Sequence, residues 1–80
     1  MKFYEEQKDK IARLNAINST ILATYADCER LAAETTGQGI MEHTRAIIAH
    51  NAALFDYQAL LKEMEAETVQ HALFETSKAA

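Results

Sequence analysis

Apolar and seam-type residues recur along the first part of the chain at alternating steps of three and four: Tyr4, Gln7, Ile11, Leu14, Asn18, Ile21, Tyr25, Cys28 and Ala32. Ile17, Leu22 and Leu31 widen this stripe, while Glu6, Arg13, Thr20, Asp27 and Glu34 fall on the opposite side. That is the period of an amphipathic helix with one buried seam, and it predicts a helix over about 3–35. A second helical pattern covers about 40–76. Between them, Thr35-Thr36-Gly37-Gln38-Gly39 holds the only two glycines of a chain without proline. Glycine readily adopts φ > 0 and commonly ends helices, so Gly37 and Gly39 are expected to mark a turn at 36–39. The tail 77–80 loses the apolar pattern and is expected to fray.

The second pattern is wider than the first. One heptad line reads Ile40, Ile47, Leu54, Leu61; a second reads Met41, Ile48, Phe55, Lys62, Val69; a third reads Ala46, Ala53, Leu60, Glu67, Phe74. Only the line Glu42, Ala49, Asp56, Glu63, Gln70 is consistently solvent-like. A helix packed on a single neighbour needs an apolar stripe only somewhat wider than about 100°. The first helix is expected to pack on Ile47, Leu54 and Leu61. The remaining apolar surface, around Ile48 and Phe55 or around Tyr57 and Met64, then calls for another copy or another protein. Interface energy concentrates in large side chains, which singles out Phe55, Tyr57, Met64 and Phe74, with Ile48 beside them.

Two polar lines cross this surface. Thr44, Asn51, Gln58 and Glu65 repeat every seven residues between the apolar lines. They read as a partly wet rim or, if buried, as a hydrogen-bonded pairing ladder or ligand contact to which His50 would add. The line His43, His50, Tyr57, Met64, His71 carries all three histidines. Residues seven apart lie about 10 Å apart along one helix, too far to share a metal ion. Boundary histidines are the favoured reading; a pH-responsive interface is the alternative.

In the first helix, Asn18 interrupts the seam. Buried there, it would fix register. The alternative is a kink or a new N-cap at Asn18-Ser19-Thr20, which would turn the protein into a three-helix bundle. Cys28 also falls on the seam, and the acidic Asp27 and Glu29 beside it oppose thiolate formation, so it reads as a structural cysteine.

Composition narrows the function. Eighty residues with one cysteine make a single small domain that no internal disulfide can staple, which leaves helix packing and self-association to stabilise it. A net charge of −4 disfavours binding to phosphate backbones, and Lys8, Lys10 and Arg13 are interleaved with carboxylates. No run of residues approaches a bilayer span or a signal-peptide core, so a cytoplasmic location is expected, or host cytoplasm if the chain is viral. No phosphate loop, zinc spacing or Glu-x-x-His pair is present, so no cofactor, no metal and no enzymatic activity is expected.

The pattern therefore predicts an all-α antiparallel helical hairpin that dimerises into a four-helix bundle or assembles further. Its expected partners are itself and a second protein, and its expected function is that of a non-enzymatic adaptor, chaperone or inhibitor. Small size and helical content are shared with inhibitors from viruses and mobile elements, a class-level analogy only. A contiguous acidic face with Asp56, Glu63 and Glu67 would fit mimicry of nucleic-acid charge. Two alternatives stand: a bundle binding a small ligand such as a nucleotide through Thr44, His50, Asn51 and Gln58, and, more weakly, a hairpin dimer binding RNA or DNA.

Overall fold

A computed structural model of the chain describes residues 2–79, with side chains described through residue 77. It is an all-α hairpin of two helices, α1 (Lys2–Leu31) and α2 (Gly37–Ala79). Contacts run in reverse order along the pair: Phe3 meets His71, Lys10 meets Glu67 and Thr24 meets His50, so the helices are antiparallel. The rod measures 66 × 16 × 13 Å. A 43-residue helix at about 1.5 Å per residue accounts for that length.

α1 is continuous through Asn18-Ser19-Thr20, so neither a kink nor a third helix forms there. Ser19 and Thr20 return their hydroxyls to the carbonyls of Asn15 and Ala16 (3.1 and 3.3 Å), which lets both sit inside a helix. Asn18 is exposed and fixes no register. α1 ends at Leu31, four residues before the expected limit, in a tight turn where Glu34 N–H reaches the Leu31 carbonyl at 3.1 Å.

The break between the helices falls where expected, but by a different device. Neither glycine has positive φ, and both belong to the first turn of α2. The connection is Ala32 to Thr36, and Thr36 is the N-cap. Its Oγ1 accepts from Gly39 N–H at 3.0 Å and its carbonyl accepts from Ile40 N–H at 2.9 Å. Gly39 is needed for space instead: a Cβ there would lie 2.6 Å from Glu34 Cβ. Around Gly37 nothing lies within 4 Å. At the far end α2 remains helical through Ala79, past the expected limit of 76.

The seam keeps the three-four spacing in both helices. On α1 it runs Phe3, Gln7, Lys10, Leu14, Ile17, Ile21, Thr24, Cys28, Leu31; these are buried or half-buried while their neighbours are exposed. On α2 it runs Gly39, His43, Ala46, His50, Ala53, Tyr57, Leu60, Met64, Glu67, His71. Among the described residues, the buried apolar core is Leu14, Leu31, Ala53 and Leu60.

Candidate interaction surface

The seam corrects the expected packing of α2. α1 lies on the histidine line and the alanine line, not on Ile47, Leu54 and Leu61. Small residues suit this placement: Ala46 and Ala53 take less room between the helices than isoleucine or leucine would, and Gly39 makes space for Glu34 of the connection. Polar pairs reinforce the choice. Lys10 reaches Glu67 directly and Glu63 at 3.8 Å. The hydrogen bond that Lys10 donates to Glu67 raises the Lys10 pKa above its ordinary 10.5. Thr24 Oγ1 lies 2.8 Å from the Thr20 carbonyl and forms a 2.9 Å hydrogen bond with His50 Nδ1, linking the two helices.

This placement redistributes the residues singled out from the pattern. Tyr57 and Met64 are half-buried between the helices, so the outward contact expected of them is not available in this fold. His43, His50 and His71 are half-buried on the same line. His71 stacks flat on Phe3, with ring centroids 3.9 Å apart, and lies 3.9 Å from Glu75. His50 faces inward while Thr44, Asn51 and Gln58 are exposed, so the structure does not bring the four together as a ligand site. Cys28 is half-buried in the seam. Gln7 is buried there as well, and its Nε2 has no hydrogen-bond partner.

What faces outward is the larger apolar surface. In an antiparallel pair, the residue four after each histidine-line or Gln7-line position flanks the seam on a shared side. On α1 that flank carries Tyr4, Ile11, Asn18, Tyr25 and Ala32, all exposed. On α2 it carries Ile47, Leu54 and Leu61, 41%, 37% and 43% exposed, with Ile40 at the turn end. Tyr25 against His50 and Tyr4 against His71 place the α1 flank beside the α2 seam, with ring centroids 5.9 and 5.8 Å apart. Leu22 adds to the same side of α1. The Glu29 carboxylate, by hydrogen bonding, raises the Tyr25 phenol above its ordinary 10.0. Both helices thus contribute to one apolar face.

A second apolar feature is separate. Met41, Ile48, Phe55 and Val69 follow the outer edge of α2, directly away from α1, and Phe55 at 72% is the most exposed of the large apolar side chains. Thr44, Asn51 and Gln58 run between this ridge and the shared face. Phe74 is also exposed, one turn beyond the Phe3–His71 stack.

The opposite flank is charged. An open groove there is lined by Arg13, Ile17, Asp56, Leu60 and Glu63. Glu67 is not part of this flank, because it turns into the seam toward Lys10. The acidic face expected from Asp56, Glu63 and Glu67 is therefore divided, and Arg13 interrupts what remains. Among the described residues no cluster of three metal-ligating side chains occurs, and no helix is long and apolar enough to cross a membrane.

The pattern of residues pointed to Ile48 and Phe55, but it left Ile11, Leu22 and Tyr25 unrecognised as outward residues because it counted them in the α1 seam. The signal that separates the two sets is the line of small residues Gly39, Ala46 and Ala53, which marks the side of α2 that α1 takes. No protein-family model, curated protein or solved structure matches the chain.

Proposed function

We propose that this chain is a non-enzymatic protein-interaction module, an adaptor, chaperone or inhibitor that acts by presenting the outer ridge of α2 to a second protein. The observation that carries the reading is the Ile48–Phe55 ridge: two large apolar side chains, 63% and 72% exposed, on the side of α2 that α1 cannot reach. A rigid helix presenting an aliphatic and an aromatic anchor two turns apart fits a hydrophobic groove on a partner. The histidines and Cys28 lie half-buried in the seam, and Lys10 pairs with Glu67.

The test is comparative affinity capture from lysate of the cells that encode the chain, using wild type, Phe55→Asp and Asp56→Asn as baits. A protein retained by wild type and Asp56→Asn but lost with Phe55→Asp supports the reading. Retention unaffected by Phe55→Asp, or no protein retained above a scrambled-helix control, counts against it.

A further inference from the structure

We draw no further inference here: the strongest candidate, the apolar face that Ile11, Leu22 and Tyr25 of α1 share with Ile47, Leu54 and Leu61 of α2, is unpartnered, and nothing in the structure shows what covers it.

Discussion

The two glycines at the start of α2 should respond to alanine in opposite directions. Both lie in the first helical turn with ordinary φ, so alanine at either adds helix propensity and restricts the unfolded chain, worth roughly 0.5–1 kcal/mol. At Gly37 the new Cβ meets nothing within 4 Å, so Gly37→Ala should be more stable by about that amount. At Gly39 the Cβ would lie 2.6 Å from Glu34 Cβ, an atom held rigidly by its own backbone. Relieving that overlap means moving the connection away from the helix, and overpacking of this kind costs about 1–3 kcal/mol. The displacement also strains the Thr36–Gly39 capping bond at 3.0 Å. Gly39→Ala should therefore be destabilised by about 0.5–2 kcal/mol net of the propensity gain. Urea unfolding followed by circular dichroism, at a fixed chain concentration, measures both. The clashing atom identifies its own rescue: in a Glu34→Gly background, which lacks that Cβ, Gly39→Ala should lose most of its penalty. Equal stabilisation by both alanines, or a Gly39→Ala penalty unchanged in the Glu34→Gly background, would refute the steric account.

Three further outcomes follow from the seam and the cap. Gln7 is buried with Nε2 unpaired, so Gln7→Met, which keeps length and removes the donor, should stabilise the hairpin by roughly 1–3 kcal/mol in the same assay. Thr36→Ala removes the acceptor for Gly39 N–H and should cost about 1 kcal/mol, while Thr36→Ser should be nearly neutral. The Lys10 pKa is raised in the folded state by Glu67, so its contribution is fully present below 10.5 and is lost as pH rises through the folded value. The stability difference between wild type and Lys10→Met should accordingly shrink in alkaline buffers above that pH and stay constant from neutral to mildly basic; a difference that grows above it would contradict the assignment.

The hairpin was legible in the residues because its signals are local. A chain without proline, with both glycines beside a pair of threonines, has one place to turn. Even there the mechanism was not evident: the glycines suggested left-handed residues, whereas Thr36 caps α2 and Gly39 gives way to Glu34. The choice of buried face was harder to read because it is not a local property. Three of the α2 heptad lines are apolar enough to face a neighbour, and hydrophobicity favours the line Ile47, Leu54, Leu61. Small size favours Ala46 and Ala53 instead, and the pairs Lys10–Glu67 and Thr24–His50 can form only in that register. The same rotation moves α1 by one line, which exposes Ile11, Asn18 and Tyr25 and buries Lys10, Ile17 and Thr24 at least in part. The surplus of apolar residues on α2 was visible from its periodicity; that α1 adds to it was not, since those residues also fit a seam.

This hairpin keeps polar and small residues in its seam and leaves larger apolar side chains outside, Ile48 and Phe55 on the ridge that carries the proposed role among them. The most direct measurement is affinity capture with wild type beside Phe55→Asp, with helix content checked by circular dichroism. A protein held by wild type and lost with an equally helical Phe55→Asp is expected. Capture indifferent to Phe55→Asp would contradict that role.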